Sequence, residues 1–237
     1  MKRIVLFLSL GLILTSCALP ATATIEPVIP TLELTATSAP LPPSTPTPAP
    51  TLTATVVPTP DLSTLGLPSE PAGTVAYDFV DQMCASQWHT RGEALPCPGD
   101  DSQAEHGYVM RFDGDAQGLP LGFPMMLTFP PLLHYSEISS QYPAFAVQKG
   151  DRFRTVLACQ GRVYCDVEFV LSYYHGHGEI VLKRWYYLFN EAPLVIDYSL
   201  DSLAGKDVEF DLSTIVLARR SEAYAVWVAP HIYRPAP

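Results

Sequence analysis

Apolar and polar residues take turns along the second half of this chain with the period of a β-strand. Val163, Cys165, Val167, Phe169 and Leu171 are apolar, while Asp166, Glu168 and Ser172 fall on the other side. From Asp207 to Val216, Val208, Phe210, Leu212 and Val216 alternate with Asp207, Glu209, Asp211 and Ser213. Successive side chains of a strand point to opposite faces, so each run predicts one buried and one wet face, as in an antiparallel sheet. Glu179 to Phe189 is apolar on both sides, which predicts a covered central strand or one whose second face lines a groove. Further runs at Thr74–Val80, Tyr108–Phe112, Met125–Phe129, Arg152–Cys159, Leu194–Ser199 and Ala223–Ile232 follow with little helix between them. A succession of strands separated by turn residues predicts an all-β sandwich or barrel.

Three C-terminal segments narrow that class. Ile196-Asp197-Tyr198-Ser199 comes first, then Asp201-Ser202-Leu203-Ala204-Gly205-Lys206-Asp207-Val208, then Trp227-Val228-Ala229-Pro230-His231-Ile232. Together they resemble the closing strands of galactose-binding-like jelly rolls and carbohydrate-binding modules, over about 40 residues. The resemblance implies an antiparallel jelly-roll β-sandwich in which Ala204-Gly205 make a turn and Leu203 closes one end. The resemblance speaks to fold; the expectation of a binding module and not an enzyme rests on the chemistry read below.

The N-terminus is a different material. Lys2 and Arg3 precede an apolar run of 11 residues, Ile4 to Leu14, too short for the ~20 that cross a bilayer. The next residues, Leu14-Thr15-Ser16-Cys17, resemble the lipobox of bacterial lipoproteins. That resemblance implies removal of residues 1–16, lipidation of Cys17, and anchoring on the extracytoplasmic face of the cell envelope. Cleavage leaves 12 Lys and Arg against 24 Asp and Glu, a formal charge of −12. Such a surface excludes nucleic acid, whose phosphates need basic partners.

Residues 18–70 hold 12 of the 24 prolines and 12 threonines, with no Lys, Arg or aromatic residue. Proline fixes φ and removes an amide donor, so helix and sheet cannot propagate through such a stretch. The composition predicts a disordered, extended Thr/Pro-rich stalk over 17–72 that rises about 3.1 Å per residue. The head, 73–237, carries all three tryptophans.

Four cysteines remain after Cys17: Cys84, Cys97, Cys159 and Cys165. An even number in an exported domain points to two disulfides. Cys159 and Cys165 share the inward face of two runs joined through Gly161, and a hairpin there would bring their sulfurs together. Cys84–Cys97 follows by elimination. Neither spacing has the short Cys-x₂₋₄-Cys form of a zinc site.

No nucleophile elbow, zinc-protease helix or phosphate loop is present. His175 and His177 lie at i and i+2, a metal half-site in form but without a third ligand nearby. Asp113 and Asp115 could hold a structural calcium, and are equally the residues of a turn. No other cofactor is expected. Asp166 with Glu168, and Glu209 with Asp211, have a spacing compatible with glycoside chemistry, but read as the solvated face of an acidic protein. Aromatic residues carry the stronger signal. Tyr173, Tyr174, Trp185, Tyr186 and Tyr187 crowd one expected hairpin, with Trp88, His134, Tyr135 and Tyr142 elsewhere in loops, and alternation forbids all of the hairpin rings from pointing inward. Tyr173, Tyr174, Trp185, Tyr187 and Trp88 are the ligand candidates. Exposed rings stack on sugars through their π-faces. The expected function is that of an anchored surface module binding extracellular glycan; the alternatives are a structural or adhesion module binding a surface protein and, last in order, a glycoside-acting hydrolase.

Overall fold

The alternation becomes thirteen strands among the described residues. They are β1 (Gly73–Asp78), β2 (Gln87–Thr90), β3 (Glu93–Leu95), β4 (Tyr108–Phe112), β5 (Met125–Phe129), β6 (Glu137–Gln141), β7 (Phe145–Ala146), β8 (Arg152–Cys159), β9 (Asp166–His175), β10 (Gly178–Leu188), β11 (Leu194–Ser199), β12 (Asp207–Val216) and β13 (Ala225–Pro235). The computed structural model describes residues 62–67, 72–120, 122–133, 135–161, 163–176, 178–189, 191–217 and 223–236. The chain divides into Met1–Ala54, which lies wholly outside the described residues, and Thr55–Pro237. The signal segment and Cys17 therefore lie outside them too.

Two sheets form, and their pairings are antiparallel. The first runs β11-β8-β13-β5-β4, with β1 beside the last part of β13. The second runs β10-β9-β12-β6-β2-β3, with β7 against the start of β12. The fold is the all-β jelly-roll sandwich expected. β13 serves two neighbours on one side because its ladder to β8 slips between Val228 and His231. Pro230 has no amide to donate there, and Ala229 takes a φ of 45°. The turn expected at Ala204-Gly205 is present, with Gly205 at φ 83° and Leu203 buried.

The core lies between the sheets. Phe153, Leu157 and Trp227 from the first meet Phe169, Leu171, Phe210 and Leu212 from the second, all fully buried. Trp227 meets the Phe169 ring edge-on, with centroids 4.9 Å apart. β2, β3, β6 and β7 escape a reading by hydrophobic pattern because β3 and β7 span only three and two residues and β2 and β6 are short and mostly polar, as in Gln87-Trp88-His89-Thr90.

Cys159 and Cys165 are bonded, and so are Cys84 and Cys97. The expected hairpin between Cys159 and Cys165 does not exist. β8 pairs with β11 and β13, whereas β9 pairs with β10 and β12. The connection from Gln160 to Cys165 crosses from one sheet to the other, and the disulfide spans that corner with 6.4 Å between Cα atoms. Alternation tells which face of a strand is buried, and not which strand it lies beside. Two inward-facing cysteines meet equally well across a core.

The first sheet is apolar on its outer side as well. Leu127, Phe129, Val156, Ala158, Val226 and Val228 form a second buried cluster there, together with Ala116. Leu65 and Leu67 join that cluster, which corrects the expectation that the whole of 17–72 is unstructured stalk. Residues 62–67 contain no proline and start with a short 3₁₀ turn, so two leucines reach the sheet. With one outer surface covered in this way, the outer face of the second sheet is the polar one.

Candidate functional site

Residues directly opposite one another in an antiparallel pair share a face. On β9 the outward set is Asp166, Glu168, Val170, Ser172 and Tyr174. β12 places Glu209, Asp211, Ser213 and Ile215 beside them, and β6 adds Glu137 opposite Ile215. On β10 the register slips between Val181 and Lys183. That bulge switches the parity of the strand. Glu179 and Val181 face outward before it, and Arg184 and Tyr186 after it.

Asp211 lies at the centre of this face and is fully buried. Its carboxylate accepts the Ser140 N–H at 2.7 Å and the hydroxyls of Ser140, Ser172 and Ser213 at 3.1, 2.9 and 2.6 Å. Burial pushes its pKa up to about 6 against the pull of those donors. Around it the side chains lock one another. Arg184 Nη1 donates to Glu168 Oε2 at 2.5 Å, and Gln141 Nε2 to Glu209 Oε2 at 2.7 Å. Burial raises the Glu137 pKa, and the charges of Glu179 and Glu168 raise it further.

Two tyrosines frame the polar stretch. Tyr174 is half-buried, and burial lifts its hydroxyl to about 12. Tyr186 is 50% exposed and hydrogen-bonded to Asp166, which raises its pKa. Tyr186 stands opposite Glu168, six residues along β9 from Tyr174, or about 20 Å at ~3.3 Å per residue. Rings at both ends with fixed donors and acceptors between them suit an elongated, hydroxyl-rich ligand.

Of the aromatic residues expected to bind ligand, only Tyr174 faces outward here. Tyr173 and Tyr187 point into the core, and Trp88 is buried with its Nε1–H donated to the Met83 carbonyl at 2.8 Å. The Tyr187 hydroxyl is taken by Gln117 and the Glu191 carbonyl. Trp185 turns inward and stacks on Phe153, with Tyr198 edge-on to it. The physical cause is the β10 bulge. Unbroken alternation would keep Val181 on the face of Trp185 and Tyr187, and the extra residue hands the outer face to Arg184 and Tyr186 instead. Nothing in the β10 sequence marks the slip. Tyr135 and Tyr164 are exposed in loops.

The remaining candidates separate. His175 is exposed at the end of β9, and His177 lies outside the described residues. Asp115 accepts the Gly118 N–H at 2.7 Å, the hydrogen bond of a turn. Among the described residues no three His, Cys, Asp or Glu side chains group as a metal site. Glu209 and Asp211 are not the freely solvated acids expected, since Asp211 is enclosed by its four donors.

No protein-family model matches this chain, and no curated protein matches it in sequence. Solved structures align with parts of this chain. One concerns carbohydrate-binding modules of the β-sandwich superfamily, with 7% identity, a TM-score of 0.44, and coverage of 70% of this chain and 64% of that one. A second is the N-terminal endo-1,4-β-D-xylanase 10B of Clostridium thermocellum complexed with xylohexaose, at 13% identity and TM-score 0.40, covering 70% of this chain and 29% of that one. A third is the glycoside hydrolase domain of Endo-D from Streptococcus pneumoniae R6, at 8% identity and TM-score 0.35, covering 54% and 21%. The chain thus spans less than two thirds of the length of each.

Proposed function

We propose that the head is a glycan-binding module, held at the extracytoplasmic side of the cell envelope by a lipid on Cys17 and a Thr/Pro-rich stalk. The observation that carries this reading is the pair Tyr174 and Tyr186 on one outer face, with Arg184 between them, Glu209 beside Tyr174, and Glu168 and Glu137 level with Tyr186. Sugar rings present C–H faces to aromatic rings and hydroxyls to carboxylates and guanidinium groups, so such a face can hold several consecutive sugars. The module binds without turnover in this reading. Asp211 is enclosed by donors and Glu168 is paired to Arg184, so neither is free to serve as acid or nucleophile.

Titration of the full-length chain against a panel of soluble polysaccharides tests it, with Tyr186→Ala and Tyr174→Ala as variants. Saturable binding that falls about tenfold or more in each variant is expected. Absence of binding to every glycan would sink the reading. A surface protein as partner is the second reading, favoured by exposed Leu132, Leu133 and Tyr135 in the loop that hydrogen-bonds Val216 through the Tyr135 amide.

A further inference from the structure

The charge on the same face limits what it can hold. Glu137, Glu168, Glu179 and Glu209 surround the buried Asp211. Among the described outward residues of β9, β10 and β12, Arg184 is the single Lys or Arg, and its guanidinium is engaged by Glu168. The raised carboxyl of Glu137 already registers Glu179 and Glu168 as repelling neighbours.

We propose, resting on the glycan reading above, that this face selects sugar chains free of carboxylate, sulfate and phosphate. Glu137, Glu179 and Glu209 are its specificity-determining residues. An ionised carboxylate only accepts hydrogen bonds, and it accepts them strongly. A neutral sugar chain supplies O–H donors to these oxygens while its C–H faces lie on Tyr174 and Tyr186. A uronate or sulfate ester has the opposite effect. It brings negative charge to a surface that already repels it, and on this face meets no cation but the paired Arg184, since Lys183 of β10 stands opposite the inward-facing Leu171. Discrimination of this kind comes from the repulsion built into the site as much as from attraction to the preferred ligand.

The test uses the full-length chain in detergent micelles at low salt, about 50 mM, where the screening length is still over 10 Å. Neutral probes are xylo- and gluco-oligosaccharides and galactomannan. Anionic probes are polygalacturonate and heparin. The expected result is neutral binding with at least about a tenfold preference over the anionic polymers. Replacing exposed Glu179 and half-buried Glu209 together by Lys narrows that preference, and circular dichroism checks that the variant stays folded. Polygalacturonate or heparin bound as tightly as the neutral chains overturns the proposal and leaves the glycan reading standing. Binding of no probe at all overturns the glycan reading itself.

Discussion

The Asp211 carboxylate accepts the backbone N–H of Ser140 at 2.7 Å, so a side chain of β12 takes the place of a main-chain carbonyl in the seam to β6. The seam is also held by the register around Thr214↔Ile138, by the Leu212 N–H donated to the Ser140 hydroxyl, and by the Tyr142 and Val216 amides bonded to the Phe210 and Ser136 carbonyls. β2 and β3 hang on β6, so the outer three strands of the sheet depend on it. Truncation at Asp211 takes an acceptor from a buried amide and from the Ser172 and Ser213 hydroxyls, while the Ser140 hydroxyl keeps the Leu212 carbonyl. Asp211→Ala is expected to lower unfolding free energy by about 3 kcal/mol in urea melts. A loss within experimental error would show that β6 is held by packing alone.

The same carboxyl gives a pH signature. Its folded pKa, about 6, lies above the ordinary 3.8, so between those values the folded state holds more of this proton than the unfolded one. Stability from this group is therefore greatest at about pH 4 and is lost as pH rises to about 6, by an amount on the order of 2–3 kcal/mol. The difference in unfolding free energy between the native chain and Asp211→Asn, followed from pH 4 to pH 7, isolates it. A difference that grows with pH would reverse the sign argued here.

The two disulfides close loops of unequal length. Removing Cys84–Cys97, with 13 residues of separation, is expected to cost about 3 kcal/mol, and removing Cys159–Cys165, with 6, about 2 kcal/mol. Paired Cys→Ser variants, compared by thermal melting, rank them. Peptide mapping under non-reducing conditions checks the connectivity directly.

Leu65 and Leu67 make the end of the expected stalk part of the head. Leu67→Asp puts a charge into the buried cluster that includes Leu127, Val156 and Val228, and is expected to destabilise by about 3 kcal/mol. Ser63→Asp, on an exposed neighbour, should leave the melt unchanged. Equal effects of the two would mean that the segment does not pack on the sheet.

Tyr186 and Trp88 separate binding from folding. Trp88→Ala empties a buried site and should cost about 3–5 kcal/mol. Tyr186→Ala should leave stability within about 0.5 kcal/mol while weakening glycan retention in affinity electrophoresis.

Local chemistry determined much of this protein. The alternation of Val208, Phe210 and Leu212 with Glu209 and Asp211 is enough to assign strand, buried face and antiparallel class, because the pleat has a period of two whatever lies beside it. The turn at Gly205 and the burial of Leu203 were legible through the resemblance of that segment to jelly-roll closing strands. Partnership and exposure were not. The sequence around Cys159 and Cys165 is compatible with a hairpin or a corner, and only packing of the two sheets chose the corner. A single extra residue near Leu182 reversed the faces of β10, burying Tyr187 and exposing Tyr186. Asp211 reads as a wet acid until Ser140, Ser172 and Ser213 close over it from strands distant in sequence. A one-residue register shift moves every later side chain to the other face, and register is a property of neighbouring strands, settled only when the sheets assemble.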